Sequence, residues 1–113
     1  MKVRELHIDA YDCKCNLNDS KLLLPILVRA AKKSKFKVVK KIVYHYKPYG
    51  LTIVLLLAET HASLFTWPEL GYAAVEIFLC NEKKNPYKFW KIIKKALMPK
   101  RVKIKEIVRN ITK

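Results

Sequence analysis

Apolar and polar residues alternate from Val3 to Tyr11, with Leu6, Ile8 and Ala10 on one side of an extended chain and His7, Asp9 and Tyr11 on the other. That period predicts a strand with one buried face. Asn18-Asp19-Ser20 then offers capping side chains ahead of LLLPILVRAAKKS, which predicts a helix running to about Lys33. Pro25 lies near the start of that segment, so the helix is expected either to begin just before it or to kink there. Lys37 to Tyr46 is rich in valine, isoleucine and tyrosine and reads as a second strand. Lys47-Pro48-Tyr49-Gly50 makes a turn into a third, Leu51 to Ala58, apolar on both faces as a central strand would be. The crowded stretch AETHASLFTWPE follows, and beyond it Gly71-Tyr72 leads into a strand over Ala73 to Cys80. Asn85-Pro86 is a helix start, and Pro86, Phe89, Trp90, Ile93, Ala96 and Leu97 fall on one stripe with lysines opposite or flanking it. Pro99 closes that helix, and Val102 to Val108 supplies a last strand. The order β-α-β-β-β-α-β predicts an α+β, two-layer sandwich, an antiparallel sheet with two helices on one face. Its bare face would be a natural dimer surface.

Length and composition narrow the class. A chain of 113 residues that is 51% hydrophobic can bury the core of one domain, taken as residues 1–113, and is too short for two. Two glycines and five prolines leave no candidate linker. The opening MKVRELHIDAY lacks the basic head and apolar block of a signal peptide, and the longest apolar run is too short for a bilayer, so a cytoplasmic protein without membrane attachment is expected. Cys13, Cys15 and Cys80 are expected to be reduced thiols, and Cys13-x-Cys15 has no second pair with which to build a metal site. The formal net charge of +15 would attract nucleic acid or an anionic surface. Yet Lys32-Lys33, Lys40-Lys41, Lys83-Lys84, Lys88, Lys91 and Lys94-Lys95 are spread as solvated faces, and no zinc-finger spacing, RNP-type signature or phosphate loop accompanies them. Nucleic-acid binding is kept as an alternative function.

The run THASLFTWPELGYAAVEIFLC carries more specific information. It resembles the central signature of the prokaryotic S-adenosylmethionine decarboxylases, in which E-S-H is followed by T-W-P-E-x-G-Y-A-A-V-[DE] and then a cysteine. HIDAYDC with LND resembles that family's first strand and helix cap, and YHYKPYG its H-x-F-x-P-x-G turn. The resemblance implies a pyruvoyl-dependent enzyme of spermidine and other polyamine synthesis, made by autocatalytic cleavage of a proenzyme. The serine hydroxyl attacks the preceding carbonyl, an ester forms, and elimination breaks the chain and leaves a ketone that serves as electron sink for decarboxylation. Carried over by position, the scissile bond is Glu59-Thr60, Cys80 is the acid that returns a proton to product, and Thr52 stands where a serine assists processing. Tyr46 and Trp67 would stack on adenine and Glu69 would meet a ribose or amine, with a packed Trp-Pro corner as the structural alternative.

Two departures fall on one reaction. Thr60 replaces the self-cleaving serine, so its extra methyl crowds the attack and cleavage would leave a bulkier 2-oxobutanoyl group. Phe65 replaces the histidine that takes the proton during elimination, and loss of a positioned base typically slows a step by about 10²–10⁴-fold. His61 should point away from the nucleophile, and His45 reaches it only in a favourable register. The expectation is therefore a largely uncleaved binding or regulatory homologue. The alternative is a slow, active decarboxylase of S-adenosylmethionine, or of arginine or ornithine. A homodimer, or a heterodimer with a paralogue, is implied by the family's pairing through the sheet.

Overall fold

A computed structural model of the chain describes residues 1–80 and 84–112. The expected sandwich is present, with one strand more than the sequence order gave. The strands are β1 (Lys2–Tyr11), β2 (Val38–His45), β3 (Leu51–Leu57), β4 (His61–Trp67), β5 (Tyr72–Leu79) and β6 (Arg101–Asn110), and the helices are α1 (Ser20–Lys33) and α2 (Pro86–Leu97). They form one sheet of order β2-β3-β4-β5-β1-β6, antiparallel throughout. The additional strand is β4, inside the crowded stretch. Its inward positions are Ala62, Leu64 and Thr66, of which only Leu64 is large and apolar, so the alternation is faint, and all three are buried.

Local chemistry sets the helix ends. Asp19 caps α1 by accepting from the Lys21 and Leu22 amides, and Asn85 caps α2 by accepting from the Tyr87 amide. Pro25 neither starts α1 nor precedes it. It sits at the sixth helical residue with its ring exposed, beyond the turn that the Asp19 cap has already nucleated. Leu23, Leu27, Ala30 and Ala31 of α1 and Phe89, Trp90, Ile93 and Leu97 of α2 pack on one sheet face, against Leu6 and Ile8 of β1, Ile53 and Leu55 of β3, Leu64 of β4 and Val75 and Ile77 of β5. No described helix is long and apolar enough to cross a membrane.

The second face is covered by no described element. The register aligns Ile42, Val54, Ser63, Glu76, His7 and Lys105 across it in one row, and Tyr44, Thr52, Phe65, Ala74, Asp9 and Lys103 in the next. The edge strands are β2, with Lys40 and Lys41, and β6, with Lys103 and Lys105. Lys83, read above as part of a solvated face, lies outside the described residues.

Candidate functional site

Glu59 and Thr60 sit on the hairpin between β3 and β4. The Leu57 amide donates to the Thr60 carbonyl at 2.7 Å and the Thr60 amide to the Leu57 carbonyl at 3.3 Å, which leaves Ala58 and Glu59 as a two-residue tip. The tip is tied down from outside: the Ala58 amide donates to the Lys37 carbonyl at 2.9 Å. Lys84 ties it again, with its Nζ 3.0 Å from Glu59 Oε1, 2.6 Å from the Lys35 carbonyl and 4.1 Å from the centre of the Phe36 ring. Lys84 is therefore not the solvated lysine expected from the sequence. A lone residue beside a lysine run gives no sign of a clamp that depends on where the tip folds.

The Thr60 hydroxyl is buried and, among the described residues, neither accepts nor donates a hydrogen bond. His61 points to the other face, exposed and stacked on Phe78 with ring centres 5.4 Å apart. His45 is removed by register: it pairs with Leu51, at the opposite end of β3 from the tip. Cys80 follows β5 two residues beyond Phe78, which pairs with His61, so the thiol leaves the sheet at the Thr60 end.

The remaining candidates gather elsewhere. Tyr46, Thr52, Phe65, Trp67 and Glu69 line one concavity of about 390 Å³ at the far end of β3 and β4. Gly50 forms part of its wall with φ of +106° and its amide donating to Asn18 Oδ1 at 2.8 Å. A Cβ there would stand 3.1 Å from the Thr66 carbonyl, which would have to give way, and the positive φ itself favours glycine. Tyr46 and Thr52 share a hydroxyl–hydroxyl hydrogen bond of 3.0 Å, and Trp67 stays substantially exposed beside Tyr72, its ring centre 5.4 Å away. That exposure leaves an indole face open for stacking, unlike a packed Trp-Pro corner. Thr60 and Phe65 are five residues apart on an extended strand, about 16 Å at ~3.3 Å per residue. One chain thus holds Thr60 and Cys80 at one end of the sheet and the processing positions and ligand-lining aromatics at the other.

A third group escaped the sequence reading. His7, Asp9, Tyr72, Glu76, Lys103 and Lys105 line a trough of about 730 Å³ on the open face. Tyr72 donates its hydroxyl to Asp9, and burial, then that bond, pushes the phenol well above its ordinary range. The alternation of β1 had placed His7 and Asp9 on one face; what it could not supply was the strand beside them. Burial, with the neighbouring Cys15 and Asp12, pushes the Cys13 thiol up to about 11, and burial also raises Cys15. Among the described residues no group of three or more His, Cys, Asp or Glu side chains could hold a metal ion.

The family model described as S-adenosylmethionine decarboxylase matches residues 4–110. The S-adenosylmethionine decarboxylase proenzyme of Thermotoga petrophila is 36% identical over 108 residues, covering 95% of this chain and 83% of that one. The proenzyme of Prochlorococcus marinus is 35% identical over 104 residues, covering 91% and 83%. The crystal structure of the adenosylmethionine decarboxylase from Aquifex aeolicus matches with a TM-score of 0.90 at 28% identity, over 98% of this chain and 92% of that one.

Proposed function

Because the chain belongs to the S-adenosylmethionine decarboxylase family, we propose that it is an uncleaved member that binds S-adenosylmethionine or a related small molecule and acts by binding or regulation. The observation that carries this is the pair Thr60 and Phe65. The hydroxyl in the nucleophile's place has no described partner to take its proton, and the position that should supply an imidazole holds a hydrocarbon ring beside Thr52 and Ala74. An unassisted threonine attack is slowed both by the lost base and by its own methyl. The residues present therefore do not fit formation of the family's keto group.

The ligand reading rests on the concavity. Tyr46 and Trp67 offer ring faces to a purine, and Glu69 offers a carboxylate to a ribose or a cationic amine. The pairing reading rests on the open face, which exposes Ile42, Tyr44, Leu56 and Trp67, more apolar surface than an isolated sheet keeps without a partner. A second copy turned by a two-fold axis perpendicular to the strands would cover it. The same rotation would set the Thr60 and Cys80 end of one chain against the Thr52 and Phe65 end of its partner, closing the gap of about 16 Å that no single strand can close.

The test is intact-mass spectrometry of freshly purified protein, with one full-length species expected. Two fragments divided between Glu59 and Thr60 would overturn the reading. They would favour the second one, an active decarboxylase with a threonine-derived ketone, to which the retained Thr60 hydroxyl and the nearby Cys80 lend support. Thr60→Ser combined with Phe65→His is expected to produce cleavage. S-adenosylmethionine at about 100 times its Kd should stabilise the fold by about 2.7 kcal/mol in thermal unfolding.

A further inference from the structure

The fold sorts what the sequence scatters. Four charged side chains lie on α1, namely Lys21, Arg29, Lys32 and Lys33, and all four are exposed cations. Four lie on α2, namely Lys88, Lys91, Lys94 and Lys95, and these too are exposed cations. Neither helix carries an acid. Among the described carboxylates, Glu5, Asp9 and Glu76 lie on the open face, Asp12 and Glu69 in connecting segments and Glu59 at the hairpin tip; the two that touch the helices are Asp19, which accepts from the first amides of α1, and Glu106 of the edge strand, which accepts from Tyr87. The two helices pack side by side, so their charges form one outward layer opposite the open face.

Ordinary helix chemistry accounts for only part of this layer. Lys32, Lys33, Lys94 and Lys95 stand in last turns, where cations complement the dipole. Lys21 stands in a first turn, where a cation opposes it. Lys88 with Lys91, Lys91 with Lys95 and Arg29 with Lys33 are three or four residues apart on one helix and repel. An acid at Lys21, Lys88 or Lys91 would strengthen its helix. Lys88, Lys91 and Lys95 instead recur about every 5 Å along one ridge, at 1.5 Å per residue, a spacing from which flexible lysines reach successive phosphates.

We propose that the helix layer binds the phosphate backbone of a nucleic-acid duplex without reading its sequence. A single strand would call for exposed aromatic platforms, and the outer ridge of α2 carries lysines where those would be. An anionic membrane would call for a continuous apolar stripe beside the cations, but Phe89, Trp90, Ile93 and Leu97 are turned into the core, and Leu22, Tyr87 and Met98 stand exposed only singly, at helix ends. The site is independent of the ligand concavity and leaves the open face to a second copy.

Fluorescence anisotropy with labelled DNA and RNA duplexes of mixed sequence tests the proposal. Binding to both is expected, with affinity falling roughly a hundredfold between about 50 and about 200 mM salt if about four phosphates are neutralised. Lys91→Glu with Lys95→Glu should weaken binding by more than tenfold and reduce the salt slope by about two. Lys40→Glu with Lys103→Glu, the same charge change at the two sheet edges, should leave the slope in place. Should the glutamate pair unfold α2, Lys91→Gln with Lys95→Gln removes the charges without reversing them. Equal losses in the helix and edge variants, absence of duplex binding at low salt, or tighter binding to a single strand or to phosphatidylserine vesicles would each overturn the assignment.

Discussion

At residue 65 the difference between an acid–base group and a hydrocarbon was readable from the sequence, because it depends on residue type alone. What Thr60 can do was not readable, because it depends on what surrounds an oxygen. The structure surrounds it with no described hydrogen-bond partner. Single residues elsewhere give direct tests. With the Cys13 thiol at about 11 against an ordinary 9.0, its thiolate fraction near pH 8 is about a hundredfold below that of a free thiol, and iodoacetamide should alkylate it correspondingly slowly. Equal rates for Cys13 and a model thiol would contradict the burial that causes the shift. Glu106 is held below the usual carboxylate range by hydrogen bonds from Arg4 and then Tyr87. Its folded value is depressed, so whatever it adds to stability is present above the ordinary glutamate range and disappears as pH falls through the depressed value. An NMR titration should place its midpoint below that of a model glutamate, and Tyr87→Phe should move it back up.

Elements with a clear period or cap were legible in advance: β1 from its alternation, and both helices from Asp19 and Asn85. Asp19→Ala should lower stability by about 1 kcal/mol in urea unfolding, as the loss of such a cap usually does. The strand β4 was not legible, since a run of Ala62, Ser63, Leu64 and Thr66 owes its burial to β3 and β5 on either side. Likewise, the hairpin tip is bonded to a lysine 25 residues away in sequence. Replacing Lys84 with alanine should speed amide exchange at Ala58, whose proton is bonded to the Lys37 carbonyl. Unchanged exchange would mean that the backbone bonds alone hold the tip.

For the whole molecule, the two-fold pairing proposed above has a consequence that one chain cannot show. Coexpressed Thr60→Ser and Phe65→His single variants should yield cleavage of the serine chain alone, because its imidazole would come from the other copy; cleavage in neither, with the double variant active, would place both groups in one chain. The sheet order gave no hint of this before the register was known, since sequence spacing fixes distance along a strand but not what lies across from it. The two outer strands carry a last consequence. With Lys40 and Lys41 along one border and Lys103 and Lys105 along the other, neighbouring molecules meet like against like, and sideways accretion into ribbons is refused. The safeguard is chiefly coulombic, with only a register irregularity between Val38 and Lys40 beside it, so brine near 1 M, where charges see one another over only about 3 Å, should be the condition in which concentrated solutions turn turbid.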